Sequence, residues 1–87
     1  LSNPYPNPSR GPVSFALDLP HAARVEWTVL DIQGRMVARG AEAFAAGQRT
    51  LIWNHTDASG RRVAPGVYLA TVRVDERRWT RRVVTVE

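Results

Sequence analysis

Apolar and polar residues alternate along most of this chain, in short runs separated by turn residues. In Val13 to Leu19, the residues Val13, Phe15, Leu17 and Leu19 share one face, with Ser14, Ala16 and Asp18 on the other. A period of two marks a half-buried strand, and Pro20 ends it. From Arg24 to Ile32 the apolar face is Val25, Trp27 and Val29, opposite Arg24, Glu26 and Thr28. Gln33-Gly34 is a tight turn in which glycine supplies a positive φ, and Met36 to Ala38 predicts a short strand after it. Ala41 to Ala46 is Ala-rich but too short to nucleate a helix, and Gly47 breaks it. Gln48 to Asn54 alternates again, with Leu51 and Trp53 together and Ile52 opposite. Arg61 to Ala64 predicts a further short strand between the Asp57-Ala58-Ser59-Gly60 turn and the Pro65-Gly66 turn. Val67 to Val74 places Tyr68, Ala70, Val72 and Val74 on one face. Asp75-Glu76 then turns the chain into a last strand, Arg77 to Val86.

That makes about seven short strands with a turn signal roughly every ten residues, the spacing of an all-β sandwich or barrel. The loops are too short for crossover helices, so the pairing is expected to be antiparallel. Phe15, Trp27, Trp53 and Tyr68 lie on the apolar faces of four different strands and are expected to meet in the core. Pro4, Pro6 and Pro8 forbid a helix or a central strand near the start. Residues 1–12 therefore read as an extended lead-in and residues 13–87 as the folded domain.

With 87 residues the chain has room for one domain. It has no cysteine, so neither a disulfide nor a thiolate-bound metal holds it together. Its hydrophobic fraction of 44% is that of a globular protein. No stretch approaches the roughly 18 consecutive apolar residues of a membrane-spanning helix, and no basic-then-apolar secretory signal lies within this window. The start at Leu1 rather than Met suggests a piece of something longer. The formal charge is +4, and all twelve basic residues are arginine. A charge of this size is one that solubility alone explains, though it favours anionic partners.

Catalytic chemistry finds little support. His21 and His55 both fall in predicted loops, where a lone histidine is ordinarily solvated, and neither has a patterned carboxylate or nucleophile beside it. The carboxylates are scattered over strands and turns. Asn54, Asp57 and Ser59 ahead of Gly60 faintly resemble a calcium loop, but the alternating ligand spacing and the bidentate glutamate are missing. An Asx-turn is the simpler reading, and no metal or cofactor site is assigned. Arg73, Arg77, Arg78, Arg81 and Arg82 surround Trp79 on the final hairpin. Aromatic and arginine side chains together can bind single-stranded nucleic acid. An edge strand guarded by its charges is the reading preferred here, so no nucleic-acid partner is assigned.

Taken in order, these pieces resemble a known family. Asn3-Pro4-Tyr5-Pro6-Asn7-Pro8 leads in, Val25 to Asp31 runs into Gln33-Gly34-Arg35, and Gly47 precedes Trp53-Asn54. Asp57, Ser59-Gly60 and Val63 follow, then Pro65-Gly66-Val67-Tyr68, and Arg81-Arg82-Val83-Val84 near the end. The pattern looks like the C-terminal sorting domain of the type IX secretion system, and equally like the related immunoglobulin-like domain of the flagellar hook-capping protein. The resemblance covers nearly the whole chain. No single motif is specific; the ordered set is.

The resemblance implies an immunoglobulin-like antiparallel β-sandwich at the C-terminus of a larger secreted protein. It implies a sorting signal rather than an enzyme, with its protein exported through the periplasm to the outer surface or the medium. Pro6, Asn7 and Pro8 match the family's opening motif, Gly34, Arg35, Gly66 and Tyr68 the middle ones, and Arg81, Arg82 and Val84 the terminal one. Arginine stands here where the family often has lysine, which keeps the charge and changes the hydrogen-bond geometry. On their own residues, the glycines serve turns and Tyr68 the core. The partners implied are proteins of the secretion machinery, with anionic lipopolysaccharide and further copies of the domain as other candidates. The last strand is expected to lie at a sheet edge, open to strand addition. Two alternatives stay open. One is a structural or assembly sandwich, hook-cap-like or filament-forming. The other is a carbohydrate-binding module using Tyr5, Phe44 and Trp79.

Overall fold

The computed structural model describes residues 1–87 and contains six strands and no helix. They are β1 (Val13–Leu19), β2 (Ala23–Asp31), β3 (Met36–Phe44), β4 (Gly47–Trp53), β5 (Gly66–Val74) and β6 (Arg77–Thr85). β1 pairs with β4 in one sheet, and the other sheet has the order β3-β2-β5-β6, all neighbours antiparallel. The seventh strand expected at Arg61 to Ala64 is not there. That segment makes only one isolated bridge, Arg62 to Thr56, inside a long β4–β5 loop.

Alternation placed the strands because each has one face in a shared core. Val13, Phe15, Leu17, Leu19, Leu51 and Trp53 from the small sheet join Val25, Val29, Ala38, Tyr68, Ala70, Val72, Val74 and Val83 from the large one in a single cluster. Each fully buried valine contributes roughly 1.5–3 kcal/mol. Trp53 of β4 meets Tyr68 of β5 edge-on, with ring centroids 5.5 Å apart. Trp27 packs against this cluster as expected but stays half-buried. Its indole leans over Gly40, its cross-strand partner on β3. A Cβ at Gly40 would stand 2.6 Å from Trp27 Cζ2. β3 runs on to Phe44, past its expected end at Ala38, because it stays paired with β2 as far as Ala23. At Gly40 the missing side chain leaves room for the ring, so the alternation that marks a strand is broken there. A register shift beside Val29 leaves Val37 without a partner on β2, and its carbonyl accepts from Ala58 N at 3.2 Å.

His55 also departs from expectation. It lies in the β4–β5 loop yet is fully buried, with φ at 59° and its ring 5.0 Å from that of Trp53. The loop folds inward because its polar groups are met there. Val63 N donates to His55 O (2.8 Å), Trp53 Nε1 to Thr56 O (3.0 Å), and Tyr68 Oη to Ala64 O (2.5 Å). Neither imidazole nitrogen has a protein partner. Burial holds the His55 pKa below the ordinary 6.5, and the Arg62 guanidinium acts in the same direction. A lowered folded-state pKa means that the unfolded chain protonates first as the pH falls. The stability His55 contributes is therefore complete above the unfolded value and lost below it. Urea denaturation between about pH 7.5 and 5 should show stability declining on the acid side, and His55→Phe should flatten the decline. An equally steep decline in the variant would remove His55 as its source.

Candidate functional site

The lead-in is part of the sandwich. Ser2 N donates to Ala16 O (2.9 Å), and Ala16 N donates to Ser2 Oγ (2.8 Å). Tyr5 and Ser14 exchange N–H···O bonds of 3.0 and 2.9 Å, so the segment from Ser2 to Tyr5 lies along the free edge of β1. The chain then crosses to the other sheet. Asn7 Nδ2 donates to Arg82 O (3.1 Å), and Val84 N donates to Asn7 Oδ1 (2.8 Å). Ser9, itself buried, runs parallel to the end of β6: its N–H donates to Val84 O (2.9 Å) and its carbonyl accepts from Val86 N (3.0 Å). One strap thus closes an edge of each sheet. Arg81 pins its beginning, donating from Nη2 to Leu1 O (2.8 Å) and from Nε to Ser2 O (3.3 Å).

The proline spacing suits this role. Tyr5 and Ser9 use both backbone groups toward the sheets, and Pro4, Pro6 and Pro8 beside them have no N–H to donate. A segment built this way has few donors left for a second partner.

Six of the residues singled out by sequence, Pro6, Asn7, Pro8, Arg81, Arg82 and Val84, are thereby gathered at the β6 edge. The other four lie elsewhere at the same end of the large sheet, where β2 finishes, β5 begins and β6 finishes. Asp31 pairs there with Tyr68, and Gly66 with Thr85. Gly34 (φ 83°) and Arg35 form the β2–β3 turn. Asp31 organises it, accepting at Oδ1 from Gln33 N (2.9 Å) and Arg35 N (3.0 Å) and at Oδ2 from Arg35 Nε (2.9 Å). These bonds, with the Arg35 charge, hold the Asp31 carboxyl below its ordinary pKa. Gly66 opens β5, and Tyr68 is buried in the core.

The geometry changes the strand-addition expectation. β6 does end the sheet, but Arg82 O, Val84 N, Val84 O and Val86 N are already bonded to Asn7 and Ser9. By strand parity, Arg78, Thr80 and the Arg82 N–H keep outward groups without a partner on the strap. Ser2, Ser9 and the clamp role of Arg81 were not read from sequence; the alternating prolines were the signal available for them.

The remaining candidates are structural or dispersed. Asp57 makes an Asx-turn, accepting at Oδ1 from Ser59 N (2.9 Å), Ser59 Oγ (2.7 Å) and Arg61 N (3.0 Å). The Ser59 hydroxyl and the Arg61 N–H hold its carboxyl below the ordinary pKa. No three His, Asp or Glu side chains converge as a metal cage. His21 is exposed and lies 3.2 Å from Asp75. Tyr5 sits on the strap, Phe44 at the end of β3, and Trp79 on β6 beneath Arg77 (4.6 Å). These three aromatics form no common row.

The family model for the secretion system C-terminal sorting domain matches residues 3–87, strap and sandwich together. The chain belongs to this family. Sorting domains of this kind mark proteins exported by the type IX secretion system to the cell surface or the medium. No curated protein matches the chain by sequence. Among solved structures, dimeric latent PorU of Porphyromonas gingivalis matches 95% of this chain with a TM-score of 0.78 at 19% identity. PorZ, an essential surface component of the type IX secretion system of the same organism, matches 97% with a TM-score of 0.67 at 25% identity. FlgD of Xanthomonas campestris, a hook-capping protein, matches 95% with a TM-score of 0.67 at 26% identity. The sorting domain spans 9% of that PorU chain, 11% of PorZ and 62% of FlgD. These neighbours are consistent with an immunoglobulin-like fold.

Asn7→Ala removes both side-chain bonds to β6 and leaves the Val84 N–H without a partner. The sorting domain should lose about 1–2 kcal/mol, and hydrogen exchange at the Val84 amide should accelerate. Unchanged protection at Val84 would mean that the strap does not hold this edge.

Proposed function

We propose that this sorting domain is a non-catalytic tail that directs the protein carrying it through the type IX machinery to the outer surface. On this reading it is recognised as a folded unit at the strapped β6 edge and the sheet end beside it. The family match over residues 3–87 carries the reading. Two sequence-distant segments, Pro6-Asn7-Pro8 and Arg81 to Val84, meet only when the sandwich is folded, so a receptor contacting both would reject an unfolded tail. The partners are proteins of the secretion machinery.

The likeness to hook-capping FlgD favours one second reading, an assembly module that packs on other proteins or on itself.

Fusion of residues 1–87 to the C-terminus of a periplasmic fluorescent reporter separates the two. In a bacterium with a working type IX system, reporter should reach the surface or medium, while an isogenic secretion mutant should retain it. Val84→Pro removes the N–H bonded to Asn7 and should be retained in both strains while staying soluble. Retention of the folded wild-type fusion in the competent strain would overturn the sorting reading. Normal export of the proline variant would remove the β6 edge from recognition.

A further inference from the structure

The outward face of the large sheet departs at one end from the solvated face that an antiparallel sheet usually turns to water. Its residues follow from the register. One cross-strand row is Ala41, Glu26, Arg73 and Arg78; the next is Arg39, Thr28, Thr71 and Thr80; the third is Met36, Leu30, Leu69 and Arg82. Val67 and Val84 stand side by side beyond it. The face therefore grades from arginine at one end, through a threonine row, to aliphatic side chains at the end that carries the strap and the Gly34–Arg35 turn.

Two features go beyond ordinary surface composition. Arg73 faces Arg78 directly across β5 and β6, an arrangement that costs a sheet stability. Glu26, the acidic residue in these rows, is already shared with Arg24 at 3.5 Å. Arg39, Arg73, Arg78 and Arg82 enter no ion pair within the chain. Beside them, Met36 is 54% exposed and Leu69 38% exposed. Aliphatic side chains contiguous with unpaired guanidinium groups have the composition of a protein interface, in which Arg and Met are enriched. Guanidinium forks suit carboxylates bidentately, and the surplus of positive charge sets the sign of the partner. A sugar or nucleic-acid polyanion would use the arginines and have no use for Met36 and Leu69.

We propose that the outer face of the large sheet is a docking surface for an acidic protein, seating carboxylates on Arg39, Arg73, Arg78 and Arg82 and an apolar patch on Met36, Leu30 and Leu69. The proposal rests on the export reading and adds, next to the strapped β6 edge, a second surface by which the machinery holds the domain.

The export assay tests it with four variants of the reporter fusion. Arg73→Glu/Arg78→Glu should lower export about tenfold, equivalent to 1.4 kcal/mol of coupling. Arg49→Glu/Arg61→Glu changes the net charge equally away from this face and should be exported normally. Arg73→Lys/Arg78→Lys keeps the charge but loses the bidentate forks, and its export should fall between that of the wild type and that of the glutamate pair. Met36→Thr/Leu69→Thr keeps the charge and the strand propensity and should also be exported poorly. Thermal melting of each isolated 87-residue domain checks that it is folded; should the glutamate pair not fold, Arg73→Gln/Arg78→Gln replaces it. Export of the glutamate pair at the wild-type level would overturn the proposal. So would equal loss in the charge-matched pair. Normal export of the threonine pair would overturn the protein partner in favour of a polyanion. Failure of the wild-type fusion to be exported would count against the sorting reading, a result distinct from all of these.

Discussion

An antiparallel sheet ends in a row of backbone donors and acceptors that water, another chain or the same chain must satisfy. In this sorting domain, part of that row on the terminal strand is satisfied by the other end of the chain. Four hydrogen bonds tie Asn7 and Ser9 to β6, and four more tie Ser2 and Tyr5 to β1. Each contributes about 0.5–1.5 kcal/mol net, set against the entropy of ordering the lead-in. Much depends on this closure. It joins an edge of each sheet, brings the two terminal motifs into contact, and closes the C-terminal end of β6 to uncontrolled pairing.

The same closure shapes the account of export. Recognition through a fully open edge would resemble an aggregation contact, with little discrimination between partners. A strapped edge presents side chains and a fixed shape instead. The outer sheet face, with its unpaired arginines and exposed aliphatic corner, then offers a place where side-chain chemistry sets the partner.

The strands were legible because the core imposes a period of two. Val13 to Leu19 and Val67 to Val74 each keep one face against the opposite sheet, and any slip in register would expose it. Elsewhere the pattern was silent for identifiable reasons. The second half of β3 has no apolar stripe: after Ala38 its inward positions are Gly40, which the Trp27 indole covers, and the exposed Glu42. The strand expected at Arg61 to Ala64 was too short for alternation to mean anything. His55 looked like a solvated loop residue, since its burial depends on Trp53 and on a loop folded inward by Tyr68 and Val63. The candidate-site residues were legible as an ordered set of motifs. Their meeting was not, because no local rule states that Asn7 will reach Arg82 and Val84. Pro4, Pro6 and Pro8 said only that the lead-in is extended, neither a helix nor a central strand. Which edge it takes is decided by the fold.

Equilibrium urea unfolding of the 87-residue chain beside a version lacking residues 1–10, each at two protein concentrations, tests the closure most directly. The account predicts that the intact domain unfolds at a concentration-independent midpoint. The strapless version should unfold at lower urea and depend on concentration as its β6 edges pair between molecules. Equal midpoints for the two, independent of concentration, would contradict it.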